Sequence, residues 1–257
     1  FDQIAQGMGG LMGVTGLPNQ GPVRAGIAIA DSTAGLYAAT GIFIALSERE
    51  RSGLGQWVQT SLLEAQIAMM DFQAARYLVD GDVPGQVGND HPYSTPMGVI
   101  DTADGFINIG VGGDGQWRAL CAAIQRPELA NDPDYATQDN RFRNRPKLRL
   151  VLDDVFKTRT CADWLQRLET AGVPAGPIYK MDEVFADEQV KPLGIAVPMH
   201  DPVRGDIRLV GQPVALSRTP ASIVTPLPEP GEHTDLILRG IGYDDNDIAR
   251  LRKAKVV

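Results

Sequence analysis

The chain has 257 residues, of which 43% are apolar and 22% charged, a composition typical of a soluble globular protein rather than a disordered one. Acidic residues outnumber basic ones by 32 to 24, and this balance argues against a nucleic-acid partner. The two cysteines, Cys121 and Cys161, lack metal-type spacing, which argues against both a metal site and a disulfide framework.

The start of the chain is predicted to be helical. Apolar residues recur at helical spacing over residues 2–12, with Ile4, Ala5 and Met8 on one side. The sequence opens at Phe1, without an initiator methionine and already inside this element. We therefore expect the chain to be part of a longer protein.

Short strands and helices are predicted to alternate through the next part of the chain. The predicted strands are residues 27–29 and 57–60, and the predicted helices run from Asp31 to about Ser52 and from Ser61 to about Leu78. Gly53 suits the end of the first helix, and Ser61 with Glu64 forms a capping box at the start of the second. We interpret residues 1–79 as a segment of a large domain.

A linker is predicted at residues 80–97, which glycine and proline punctuate throughout. A β-hairpin around Gly105, followed by three helices, predicts a small domain over residues 98–175. We interpret residues 176–257 as the return linker and the C-terminal part of the large domain. The pattern there predicts a second crossing, another hairpin and two closing helices.

No membrane or targeting segment is predicted. None of the elements is an apolar run of the roughly 18–20 residues that span a bilayer, and no basic-then-apolar signal peptide opens the chain. With its unpaired cysteines, the chain fits a reducing compartment. We therefore expect a cytoplasmic protein without a membrane partner.

Asp31 stands where the predicted strand 27–29 gives way to a helix. A carboxylate there is held near helix N–H groups, and being ionised it can act as a nucleophile without a separate base. The alternative is structural, because an aspartate before Ser32 and Thr33 is a good N-cap. The residues alone favour the cap.

Two other polar clusters have similar alternatives. Asn89 and His91 lie in the glycine- and proline-rich linker, which suits either an active-site lid or a plain exposed connection. The basic run from Arg141 to Arg149 is interpreted as a solvated helix start, with a phosphate-contacting patch as the alternative. By themselves, the residues indicate a soluble two-lobed α/β protein.

Several motifs, in order along the whole chain, resemble those of the class III CoA-transferase family, which includes formyl-CoA, carnitine and succinyl-CoA-dependent transferases. The matching segments are residues 1–10, Ala30-Asp31-Ser32 with Gly35, Arg49 to Gln56, Gly88-Asn89-Asp90-His91-Pro92, Thr102 to Gly105, Gly231 to Thr234 and Gly242-Tyr243. The chain resembles the C-terminal two thirds of a family member. The resemblance implies an α/β fold in which part of a Rossmann-like large domain carries an inserted small α+β domain, and it implies an interlocked homodimer.

The resemblance also implies a reaction and its residues. Asp31 would attack an acyl-CoA thioester and carry the acyl group and then coenzyme A, and Asp2 would orient it. Gly88, Asn89 and His91 would lie at the loop that covers the intermediates and binds the CoA substrate. Acyl-CoA and a carboxylic acid are then substrates, and no permanently bound cofactor is expected.

Two alternatives remain. A 2-methylacyl-CoA racemase of the same fold would use a histidine just before the acid at position 2, where this chain has Phe1. The chain could also be a non-catalytic truncated subunit, with the N-terminal part supplied as a separate chain. The transferase is favoured because the imidazole is replaced by a phenyl ring.

Overall fold

The structure is a computed structural model that describes residues 1–257. Its residue contacts divide the chain into two units, Phe1–Ile178 and Tyr179–Val257. The expected small domain, residues 98–175, lies inside the first unit, and its status as a separate domain stays a prediction.

Five helices form the first part of the first unit. They are α1 (Asp2–Met8), α2 (Leu11–Val14), α3 (Ile29–Ser52), α4 (Leu62–Ala68) and α5 (Asp71–Asp80). Helices α1, α3 and α4 pack against one another. The helix expected over residues 2–12 is broken at Gly10, whose φ of 89° lies in the left-handed region that glycine tolerates.

The ends of α3 and α4 follow signals in the sequence. Gly53 adopts a φ of 73° after α3, and its N–H donates to the Arg49 carbonyl at 2.8 Å. The Ser61 hydroxyl accepts from the Glu64 N–H at 3.2 Å and caps α4. Both predictions are confirmed. The helix expected to continue to about residue 78 is instead interrupted before α5, where Asp71 takes a φ of 45°.

The strands expected at residues 27–29 and 57–60 are wrong. An alternating pattern forms a ladder only beside another strand, and neither stretch belongs to a sheet. Ile27 is instead 64% exposed, and its carbonyl accepts from the Gln6 side chain and the Ile29 N–H. Trp57 is 87% exposed. The carboxylate expected at a strand-to-helix switch therefore follows an irregular segment.

The apolar core of the first unit lies between Ile100 and Val173. Strands β1 (Met97–Asp101), β2 (Phe106–Gly110) and β3 (Ala175–Pro177) form an antiparallel sheet in that order. Helices α6 (Asp114–Ala123), α7 (Gln138–Arg143), α8 (Arg145–Phe156) and α9 (Cys161–Thr170) and the 3₁₀ turn Pro127–Ala130 lie in the same stretch. The β1–β2 hairpin was expected. The residues of β3 were expected to form a crossing segment and not a strand.

The three-stranded sheet has one covered face and one open face. Ile100, Ile107 and Ile109 are buried in the core with the helices. Successive strand residues point to opposite faces, so Val99 and its cross-strand partner Asn108 lie on the other face. Asn108 is exposed there. The open face of the sheet is therefore accessible to a ligand.

The second unit contains three helices and a hairpin. They are α10 (Met181–Ala186), β4 (Ala196–Asp201), β5 (Gly205–Val210), α11 (Thr234–Gly240) and α12 (Asp245–Lys253). The Asp201 carboxylate closes the hairpin by accepting from the backbone N–H groups of Arg204 at 2.7 Å and Val203 at 3.0 Å. The Arg204 N–H is the main reason that the pKa of Asp201 lies below its usual range.

Helix α3 is long and apolar enough to cross a membrane by length and composition. Its most apolar window has a mean hydropathy of 1.4 and is only 17% buried. The expectation that no such stretch exists is therefore wrong, because small apolar residues fill the helix before its charged end at residues 48–51. A single helix of this kind is weak evidence for a membrane segment, since core helices of soluble proteins meet the same criterion.

Two leucines on α8 provide a test of the core. Leu148 is fully buried, whereas Leu150 on the same helix is 68% exposed. Leu148→Ala should lower the free energy of unfolding by about 2–5 kcal/mol, because it removes buried methyl groups and leaves a cavity. Leu150→Ala should change it by less than about 0.5 kcal/mol. Urea denaturation of both variants measures the difference, and equal effects would contradict this core.

Candidate active site

Asp31 lies in the first turn of α3, where its side chain is exposed. The N-cap position belongs to Ala28, which has no side-chain cap. The interpretation of Asp31 as an N-cap is therefore wrong, because helical backbone begins two residues before it. The carboxylate lies in the positive field of the helix N-terminus. It takes part in none of the side-chain hydrogen bonds or ion pairs that hold the neighbouring residues.

Asp2 is bonded directly to the start of α3. Its Oδ1 accepts from the Ala30 N–H at 2.9 Å, and its Oδ2 accepts from the Gln6 Nε2 at 2.7 Å. The Arg24 guanidinium lies 4.0 Å from the same Oδ2. Asp2 is therefore bonded to the residue that directly precedes Asp31 in the chain.

Gln6 belongs to the matching segment 1–10, but it was not predicted to be a site residue. The expected apolar side of α1 included Ile4 and Met8, but these are 60% and 69% exposed, while Gln6 is fully buried. Its side chain bonds to Asp2 and to two backbone groups of the segment before α3. Hydrophobic periodicity misses such a residue because an amide can be buried when all its hydrogen bonds are made.

Gly88 begins the second group of expected site residues. It adopts a φ of 68°, and its N–H donates to the Gly16 carbonyl at 3.0 Å. A Cβ at this position would lie 3.0 Å from the Leu17 side chain, so the close approach of the two segments favours glycine. This contact joins the linker to the loop that follows α2.

The His91 ring is held in one orientation. Its Nδ1 accepts from the backbone N–H groups of Tyr93 at 3.2 Å and Ser94 at 3.1 Å. The ring stacks on Phe72 with centroids 6.1 Å apart and an interplanar angle of 25°. Because Nδ1 is the acceptor, the hydrogen of the neutral ring is assigned to Nε2. That nitrogen is the donor left for a ligand.

Gly88, Asn89 and Asp90 line two open clefts, of about 580 and 630 Å³. Asn108 on the open face of the sheet lines both, and His91 lines the smaller one. Both volumes lie in the range of small-molecule sites. The structure thus brings Gly88, Asn89 and His91 together at a cleft. It gives no hydrogen bond or ion pair between this group and the Asp2–Asp31 group.

Three arginines spaced four residues apart hold the segment that carries His91. Arg141, which is fully buried, donates to the Thr95 carbonyl at 3.0 Å. Arg145 donates to the His91 carbonyl at 2.7 Å and to the Thr95 hydroxyl at 2.9 Å. Arg149 donates to the Val99 carbonyl at 2.8 Å. The interpretation of the basic run as a solvated helix start is wrong for these three side chains.

Cys121 does not compete with Asp31 as a nucleophile. Cys121 is buried, and burial raises the pKa of its thiol to about 12, so that it stays protonated. Cys161 is partly buried, with its sulfur 3.0 Å from the Thr102 hydroxyl. No group of three or more His, Cys, Asp or Glu side chains could hold a metal ion. An exposed carboxylate beside a fixed backbone is the chemistry this region offers.

Comparisons with known proteins show the family to which the chain belongs. The model of the family described as CoA-transferase family III matches residues 1–234. The chain is 38% identical to the succinate–glutarate CoA-transferase of Agrobacterium fabrum over 93% of this chain and 60% of that protein. It is 35% identical to the human succinyl-CoA:glutarate CoA-transferase over 100% of this chain and 59% of that protein. The chain thus spans about 60% of the length of these curated relatives.

A solved structure gives the same result for the fold. A CAIB/BAIF family protein from Brucella suis superposes with a TM-score of 0.79 at 34% sequence identity. The superposition covers 94% of this chain and 62% of that one. The expected α/β class and family fold are therefore confirmed.

The arginine contacts provide a test of how the His91 segment is held. Arg145→Ala removes two hydrogen bonds from a charged donor and should lower the free energy of unfolding by about 1.5–3 kcal/mol. It should also speed limited proteolysis within residues 88–97. Arg143, exposed and without such bonds, provides the matched control Arg143→Ala. Identical cleavage rates in the two variants would show that Arg145 does not hold this segment.

Proposed function

The chain belongs to CoA-transferase family III, and we propose that the complete protein moves coenzyme A from an acyl-CoA donor to a carboxylic acid acceptor. The observation that carries this proposal is the exposed Asp31 carboxylate, which is free of side-chain partners while the Asp2–Ala30 hydrogen bond fixes the residue before it. A nucleophile needs both a free reacting atom and a fixed position.

The proposed reaction proceeds through covalent intermediates on Asp31. A carboxylate oxygen bonds to the acyl carbon and the carbon–sulfur bond breaks, giving a mixed anhydride and the CoA thiolate. The thiolate attacks the Asp31 carbonyl carbon, which releases the first acid and leaves an aspartyl-CoA thioester. The acceptor carboxylate attacks this thioester to form a second anhydride. The returning thiolate attacks the acceptor carbonyl, so that CoA leaves on the acceptor and Asp31 is regenerated.

Dicarboxylic acids are the substrate class that we propose. The relatives include proteins named for succinyl-CoA with glutarate and for succinyl-CoA with mesaconate. Coenzyme A would act as the transferred group, without a permanently bound cofactor. All covalent steps use the thioester, the two acids and one protein carboxylate.

The cleft beside Gly88, Asn89 and His91 is proposed to bind the CoA substrate and cover the intermediates. Its support is the exposed position of Asn89, the free Nε2 side of the His91 ring and the width of the clefts they line. Covering the site matters because an anhydride exposed to water is hydrolysed. The arginine contacts would keep this loop in shape while substrates exchange.

The phenyl ring of Phe1 argues against the racemase alternative. Proton exchange at the carbon next to the thioester needs a base on each face, and a phenyl ring cannot act as one. A non-catalytic subunit remains an outcome of the experiment below.

A further protein surface is proposed to cover α3, whose outer side is strongly apolar. The exposed apolar side chains include Leu36, Phe43, Ile44 and Leu46 on α3, and Leu54, Trp57, Leu78 and Val79 further along the chain. Clustered exposed apolar side chains are typical of surfaces that bind another protein. We propose that a second copy covers it in an interlocked homodimer, together with an N-terminal part that could be a separate chain. Coverage of α3 by protein rather than by lipid fits a cytoplasmic location.

Replacement of Asp31 tests the reaction. Asp31→Asn should retain the fold and lower the rate of CoA transfer by about 10³-fold or more in the complete protein, because an amide is a poor nucleophile. Asp182, also exposed in the first turn of a helix, provides the control Asp182→Asn with unchanged activity. In the wild type supplied with acyl-CoA, hydroxylamine should attack the aspartyl-CoA thioester, release CoA and leave Asp31 as its hydroxamate. Normal turnover by Asp31→Asn would exclude the assignment, and an inactive wild type would favour the non-catalytic subunit.

Sedimentation tests the proposed assembly. The complete protein should remain a dimer at low micromolar concentration, because interlocked chains bury well over ~2,000 Å². Phe43→Arg should weaken association by placing a charge on the apolar side of α3, whereas Leu150→Arg on α8 should not. Analytical ultracentrifugation measures both. A folded monomer that is stable on dilution would contradict the interlocked dimer.

A further inference from the structure

We propose that Gln6 is a positioning residue that fixes the segment leading to Asp31 for the transfer reaction. This inference rests on the proposed function, since it concerns the same carboxylate. Gln6 is fully buried on α1, four residues after Asp2. Residues at this spacing lie on the same face of a helix.

The Gln6 amide uses its hydrogen-bonding groups on one short segment of backbone. Its Oε1 accepts from the Ala25 N–H at 2.9 Å, and its Nε2 donates to the Ile27 carbonyl at 3.1 Å. The same Nε2 donates to the Asp2 Oδ2 at 2.7 Å. The Gln6 side chain therefore links residues 25 and 27 to the Asp2 carboxylate, which itself accepts from the Ala30 N–H.

The other hydrogen bonds of the segment before α3 lie farther from Asp31. The Gly21 carbonyl accepts from the Gln86 Nε2 at 2.6 Å, and the Val23 N–H donates to the Thr15 carbonyl at 3.3 Å. Residues 21–28 form neither helix nor strand, and most of them are exposed. Ile27 is exposed, so it contributes little packing, and Gly26 has no side chain. The bonds to Gln6 at residues 25 and 27 and the bond to Asp2 at residue 30 thus form a series of backbone anchors. The last anchor is one residue before Asp31.

This arrangement fits a role in geometry rather than in chemistry. Gln6 makes no hydrogen bond to Asp31 itself, and its amide is already bonded to Asp2 and the backbone. A displacement of about 1 Å at a reacting group can reduce the rate by about 10²-fold. Loss of the Gln6 anchors should therefore lower kcat while leaving the binding of acyl-CoA nearly unchanged.

Gln66 provides a matched control within the same helical group. It is also buried, at 1% exposure, but its Oε1 has no hydrogen-bond partner. Its Nε2 lies 4.0 Å from the Met70 sulfur, its side-chain carbons lie against Gly9, and it makes no hydrogen bond to residues 25–30. Replacing it with methionine keeps the volume and removes no bond to the segment before Asp31.

The experiment compares Gln6→Met with Gln66→Met in the complete protein. Gln6→Met should lower kcat by about 10²-fold with a KM for succinyl-CoA within about threefold of wild type. Gln66→Met should keep both constants. Hydrogen exchange followed by NMR should show faster exchange of the Ala25 and Ala30 amides in Gln6→Met only, because both amides belong to the anchored segment.

The outcomes separate this inference from the proposed function. A wild type that transfers CoA, together with a Gln6→Met variant of normal kcat, would overturn the role of Gln6 while leaving the transferase intact. A wild type without transferase activity would refute the proposed function. The exchange rates would still decide the anchoring, because unchanged protection of Ala25 and Ala30 in Gln6→Met would overturn it without reference to activity.

Discussion

The hydrogen bond from the Ala30 N–H to the Asp2 carboxylate is the constraint on which the candidate active site depends. This bond joins the first turn of α3 to α1. Gln6, also on α1, adds hydrogen bonds to residues 25 and 27 of the irregular segment before α3. A carboxylate that must attack a thioester has to be exposed, so it cannot be fixed by burial. Here the neighbouring backbone is fixed instead, and the Asp31 side chain stays free.

The cleft residues depend on a different scaffold. Residues 88–99 follow the edge of the small apolar core and are held by Arg141, Arg145 and Arg149 on α7 and α8. Charge-assisted hydrogen bonds to backbone carbonyls keep such a segment ordered without requiring apolar side chains in it. The loop can therefore offer Asn89 and the His91 ring to a ligand. The two scaffolds are joined where the Gly88 N–H donates to the Gly16 carbonyl and the Gln86 side chain donates to the Gly21 carbonyl.

Local signals in the sequence predicted much of the fold. The Ser61 cap, the Gly53 end and the β1–β2 hairpin depend on residues close together in the chain, so they could be found without knowing the partner of each element. The strands expected at 27–29 and 57–60 failed because a strand needs a neighbour that local patterns do not report. The third strand, Ala175–Pro177, was missed for the reverse reason: three residues without alternation become a strand only through pairing with β2.

The candidate site also has residues that the sequence indicates and residues whose role only the structure reveals. Motif resemblance indicated Asp31, Asp2 and the glycine-containing loop. Gln6 lies in a matching motif, but its role, like that of the three arginines, emerges only when the backbone partners are known. A direct test of the central claim is isotope transfer during turnover. When the complete protein converts succinyl-CoA with a dicarboxylate acceptor labelled with oxygen-18, the account predicts that the label enters the Asp31 side chain and is found in its peptide by mass spectrometry. Continued turnover without label at Asp31, or with label at another carboxylate, would contradict it.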